Sequence, residues 1–172
     1  MITFIKYFFL FLLLTLLQIF VFDNISQLII IRPMIFFFIV MILPKMPTAF
    51  YMLLAFFIGL SYDFFSGNQT PGLHAAGCVL IAYMRDRLLI FFEGEEEAEN
   101  ASVHITSLGF RKFFFIVVIN AFLFHVLTGF LEVFSFKDIV DTAMRISAGT
   151  VVSVALIYLF DILLFYRKAA LQ

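Results

Sequence analysis

The feature that most constrains this chain is a stretch of side chains that offers water almost nothing to bind. From Ile2 to Phe22 the chain is almost wholly apolar, interrupted by Lys6, Thr15 and Gln18. A helix that crosses a bilayer needs roughly 20 mostly apolar residues. Similar stretches recur at about 27–43, 48–65, 73–92, 110–134 and 143–165. Of the 172 residues, 64% are hydrophobic, 27 are Phe and only 13% are charged. One water-facing globule could not hide that much apolar side chain, because soluble domains are about half apolar and a quarter charged. An ordinary soluble domain, a disordered segment and a disulfide-rich secreted module are therefore excluded. A net charge of −1 offers no basic surface for nucleic acid. The single cysteine, Cys78, can form neither an internal disulfide nor a thiolate metal cluster.

Unsatisfied backbone groups are costly in hydrocarbon, so the apolar stretches are expected to be helices or barrel strands. Barrel strands would alternate apolar and polar residues. Phe8 to Leu14 does not alternate, so the expected fold is an all-α membrane domain of about six transmembrane helices. The first stretch resembles a signal peptide. However, its apolar core is too long, and Val21, Phe22, Asp23, Asn24 provide no small-x-small exit, so a retained span is expected. Arg32 and Pro33 fall early in the second stretch, and Pro44 with Pro47 ends it. With six spans, eight Lys and Arg residues fall on the side of the termini and three on the other. That asymmetry predicts cytoplasmic termini. It also places the Ser66–Gly72 turn outside and the acidic stretch Glu93–Ser107 inside. The acidic stretch reads as a solvated loop or a partner-docking segment.

Polar residues inside such runs are the candidates for function. Asp63 sits near the end of the third stretch. It could bind a partner or cation or carry protons, or it could bond backbone N–H groups of the Ser66–Gly72 turn. In the fifth stretch His125, Thr128 and Glu132 follow at i, i+3 and i+7, which puts them on one helix face, with Asn120 beside them. That stripe suits either a proton relay or hydrogen bonding between helices. Metal binding is not indicated, because His74, His104 and His125 are scattered and lack a three-ligand pattern. No phosphate loop or nucleophile signature is present, and no enzymatic activity or cofactor is expected. Small residues mark close helix packing. Ala55 and Gly59, then Gly72, Ala75, Ala76 and Gly77, then Ser147, Ala148, Gly149, Thr150 and Ser153 predict a tight centre from stretches three, four and six. Stretches one and two are bulky and are expected to face lipid or another membrane protein.

The segment Gly59-Leu60-Ser61-Tyr62-Asp63-Phe64-Phe65-Ser66-Gly67, followed by Pro71-Gly72-Leu73-His74-Ala75, resembles a signature of the rod shape-determining MreD family. Members typically carry Gly-x-x-x-Asp-x-x-Ser/Thr here, then a short loop, Gly-Leu and a small-residue helix. The motif positions are Gly59, Asp63, Ser66, Gly67, Gly72 and Leu73. The resemblance implies a non-enzymatic inner-membrane subunit of the bacterial cell-elongation machinery. Such subunits act with MreC, the actin-like MreB, a RodA-type glycosyltransferase and its penicillin-binding transpeptidase in peptidoglycan synthesis and cell shape. It also implies an architecture similar to the S components of energy-coupling-factor transporters. A small-molecule transporter subunit of that kind is the alternative reading, although Phe8 to Leu17 lacks a small-residue docking face.

Overall fold

The computed structural model describes residues 2–24, 31–44, 46–66, 70–98, 101–133 and 139–166. All regular structure among them is helical. Helix α1 (Ile2–Leu17) continues into a π-helical turn, Gln18–Phe22. It is followed by the short α2 (Phe38–Ile42), α3 (Thr48–Phe65), α4 (Leu73–Glu93), the single turn α5 (Glu95–Ala98), α6 (Ile105–Val133) and α7 (Ile139–Asp161). A second π-helical turn, Ile162–Tyr166, ends the described chain. Four of these helical segments are long and apolar enough to cross a membrane: Ile5–Phe22, Thr48–Phe65, Ile105–Glu132 and Ile139–Phe165. Helix α4 is of similar length, but Arg85, Asp86 and Arg87 interrupt its second half.

Side-chain contacts define an up-and-down bundle. Gly59 of α3 meets the start of α4, where an added Cβ would lie 2.5 Å from the Ala75 Cα. Only glycine permits so close an approach of two backbones. Between α4 and α6, Gly77 meets Phe124 at one end, and Glu93 pairs with Lys112 at 2.9 Å at the other. Between α6 and α7, Gly129 meets Ile146 while Phe113 packs on Tyr158 at 5.0 Å. Each of these pairs is therefore antiparallel. One end of the bundle carries Gly72, with the end of α3, the start of α4, the end of α6 and the start of α7. The opposite end carries Gly94. Helix α6 begins there with a turn that breaks at Gly109, whose φ of 74° is left-handed. The acidic stretch is only partly the solvated loop expected: Glu95, Glu96 and Glu97 are exposed, but Ala98, Val103 and His104 are buried.

The second apolar stretch corrects the sequence expectation. A bulky helix over 27–43 was expected to face lipid or a partner. Residues 27–30 lie outside the described residues. From 31 to 35 the chain is not helical, and only Phe38–Ile42 forms a short helix. This segment is also the centre of the molecule, since Ile35 through Ile42 are each at most 1% exposed. Pro33 explains the lost helix: it has no N–H, and it disfavours helical geometry at Arg32. The helix starts again through i→i+3 bonds, from Phe38 N–H to Ile35 O and from Val40 N–H to Phe37 O. An extended lead plus one short helix still covers roughly 25 Å. The segment accordingly runs from Arg32 at the Gly72 end to Leu43 beside Arg85, toward the Gly94 end. Helix α1 behaves as expected, with Phe8, Phe9, Leu13 and Phe20 exposed along its outer face.

Candidate functional site

A non-helical backbone buried in a membrane protein needs partners for its N–H and C=O groups. Polar side chains of the surrounding helices supply them. Gln18, fully buried in the π-helical turn, accepts from the Ile35 N–H at 2.8 Å and donates to the Pro33 carbonyl at 3.0 Å. The Ser153 hydroxyl accepts from the Met34 N–H at 2.8 Å. The Tyr51 hydroxyl donates to the Val40 carbonyl. Arg85, 2% exposed, donates from Nε to Met41 O at 2.7 Å and from a terminal nitrogen to Leu43 O at 3.0 Å. A cation at carbonyls left open by the end of α2 is favoured by the helix dipole. Arg85 also pairs with Asp86 and lies over the Tyr51 ring. These polar side chains therefore bind the protein's own main chain.

Asp63 closes the Gly72 end. Its side chain is buried, and its carboxylate accepts from Gly72 N–H at 2.9 Å, His74 N–H at 3.2 Å and Ala75 N–H at 3.3 Å. The second oxygen meets His74 Nδ1 at 2.6 Å. Gly72, at φ 95°, offers no side chain to cap α4, so a carboxylate from α3 caps it instead. The His74 ring lies edge-on to Tyr62 and Phe36. The Tyr62 hydroxyl in turn donates to Asp23, just past the π-helical turn that follows α1. Ser66 terminates α3, its N–H bonding to Tyr62 O, and Leu73 is buried as the first residue of α4. Gly67 lies outside the described residues.

A second clamp at the Gly94 end uses the same chemistry. Asp161, fully buried, meets His104 Nδ1 at 2.8 Å and accepts from Ile105 N–H at 2.9 Å. It thereby caps α6 from the end of α7.

The polar stripe of α6 lines a cleft at the Gly72 end, with a volume of about 150 Å³. His125, Thr128 and Glu132 contribute from α6, and Thr142 and Arg145 from α7. Arg32 enters from the central segment and pairs with Glu132 at 2.5 Å, both side chains about half exposed. His125 sits at the base. Its Nδ1–H donates to Ala121 O at 2.8 Å, and its Nε2 lies 3.4 Å from the Ser153 hydroxyl and 3.3 Å from Arg32 O. Gly149 leaves room for this ring, since an added Cβ would meet it at 2.8 Å. Thr128 returns its hydroxyl to Phe124 O. Asn120 bonds Ile116 O, and its own oxygen is buried with no partner among the described residues. No group of three or more His, Cys, Asp or Glu that could hold a metal ion occurs among the described residues.

The structure thus brings Gly59, Asp63 and Gly72 of the first set together and His125, Thr128 and Glu132 of the second, and His74 links the two by serving Asp63 and lining the cleft. Sequence reasoning missed the structural use of Gln18, Tyr51, Arg85 and Ser153, and it missed Asp161 altogether. Pro33 and Pro44 were the signals available: prolines that bound a buried run leave main-chain groups that something must bind. Comparison of the chain with protein-family models, with curated proteins and with solved structures gave no match.

Proposed function

We propose that this chain is a non-enzymatic inner-membrane subunit of the bacterial cell-elongation complex, which supports MreC and peptidoglycan synthesis. The observation that carries the reading is the Gly59–Leu73 segment. Of the residues that resemble the MreD signature, Gly59, Asp63 and Gly72 meet at one clamp, in which Gly59 brings α3 against α4 and Asp63 holds the start of α4. Further support comes from the polar side chains of the interior, which are spent largely on the chain's own backbone, as a scaffold requires. On this reading the chain crosses the membrane six times, five times as a helix and once through the 31–44 segment. Its termini are cytoplasmic, its architecture is similar to an energy-coupling-factor S component, and the Gly72 end meets MreC on the outer side. MreB, the RodA-type glycosyltransferase and its transpeptidase are direct or indirect partners.

The test is affinity purification of a tagged, functional copy from native membranes in mild detergent, with mass spectrometry of the co-purifying proteins. The expected result is MreC together with the wall-synthesis enzymes, with MreC lost from an Asp63→Ala variant that still inserts. A second reading, a transporter subunit of the S-component type, is favoured by one observation, the polar cleft at the Gly72 end. Recovery of an ATPase module and a membrane coupling subunit in place of MreC would replace the first reading with the second.

A further inference from the structure

The cleft at the Gly72 end has an unbalanced charge. Arg32 and Arg145 are cations and Glu132 is the one carboxylate lining it. Glu132 is committed to Arg32, whereas Arg145 makes no ion pair among the described residues. Among the described residues the cleft therefore carries one excess positive charge, with Thr142 beside it. Its volume of about 150 Å³ is well above the roughly 10–15 Å³ that one water needs, which leaves room for one tetrahedral anion. A guanidinium fork matches phosphate oxygens in pairs.

Depth points the same way. Glu132 lies in the last turn of α6 and Arg145 in the second turn of α7, so the cleft opens at the end of two long apolar helices. That is the level of lipid headgroups. Beside Arg145 on α7, Val140, Met144 and Val151 are strongly exposed and apolar. A headgroup seated in the cleft would leave its acyl chains against that face.

We infer that the cleft binds an anionic phosphate group, held by Arg145 and by the free N–H groups of Arg32, with Glu132 moderating the affinity. The site does not depend on the partner assigned above. The chemistry is shared by an anionic lipid headgroup and a soluble phosphate ester, and the exposed α7 face favours the lipid.

The experiment is native mass spectrometry of the full-length protein in a neutral detergent, titrated with phosphatidylglycerol and, separately, with phosphatidylcholine. Phosphatidylglycerol is expected to bind about tenfold more tightly than phosphatidylcholine, whose own cation offsets its phosphate. Arg145→Gln should weaken phosphatidylglycerol about tenfold, the loss of one charge-assisted contact. Glu132→Gln should strengthen it, because it frees Arg32 and removes the opposing charge. A gain of affinity cannot arise from misfolding, so this variant keeps the test decisive. Arg87→Gln, exposed toward the Gly94 end, should change nothing. Direct titration with glycerol 1-phosphate separates the sources: binding tighter than that of phosphatidylglycerol assigns the site to a soluble ester, and weaker binding assigns it to the lipid. Equal binding of the two lipids, an unaltered Arg145→Gln, or weaker binding by Glu132→Gln would overturn the inference.

Discussion

The two aspartate–histidine clamps use the same groups at opposite ends of the bundle and do different work. At the Gly72 end, Asp63 and His74 are 11 residues apart, and the carboxylate takes three backbone N–H groups besides the imidazole. At the Gly94 end, Asp161 and His104 are 57 residues apart, and the carboxylate takes one N–H. The first clamp fixes a tight turn between neighbouring helices and is surrounded by Phe36, Tyr62 and Phe124. The second ties the far ends of two long antiparallel helices, with the Phe165 ring tilted against the His104 ring at 4.0 Å. A carboxylate at a helix N-terminus is favourable in both places. The number of donors it gathers sets how much is stranded when it is removed.

Asp63→Ala should have the largest effect, a loss of about 3–5 kcal/mol, because it leaves several buried donors unpaired at once. Unfolding of the purified protein by added SDS or by heat in mild detergent would measure it. Asp161→Ala should cost less, about 1.5–3 kcal/mol, since one backbone N–H and one imidazole are released. Hydrogen exchange should also locate its effect at Ile105 and the first turn of α6, and leave Gly72 to Ala75 protected. Equal losses for the two variants would break the comparison. The smallest effect should come from Asn120→Leu on α6 between the two clamps. Its amide oxygen is buried without a partner among the described residues, so the apolar replacement should stabilise the protein, by about 1 kcal/mol or less. The same unfolding titration would detect the gain, and a loss would mean that this oxygen has a use in the folded state.

The Gly72 clamp was half legible in the sequence. Asp63 near the end of an apolar run, followed by a polar turn, already suggested a carboxylate bonding backbone N–H groups, and the structure has that arrangement. The His125, Thr128 and Glu132 stripe was legible too, because helical spacing alone puts those residues on one face. The cationic side of the same cleft was not, since Arg32 lies 100 residues from Glu132. The Gly94 clamp was equally hidden, because no local pattern relates His104 to Asp161.

The plainest contrast is between α1 and the segment 31–44. Both are bulky, Phe-rich and uncharged over most of their length, and composition alone treats them alike. One faces outward along Phe8, Phe9 and Phe20, and the other is the core. Hydrophobicity states how strongly a segment leaves water, so the positions of the long helices could be read from residue order alone. Whether a segment ends against lipid or against protein is decided by packing, because the two environments are almost equally apolar. Here Pro33 and Pro44 leave main-chain groups that lipid cannot satisfy, and Gln18, Tyr51, Arg85 and Ser153 from four other parts of the chain can. That match exists only once the helices have assembled, so it belongs to the tertiary structure.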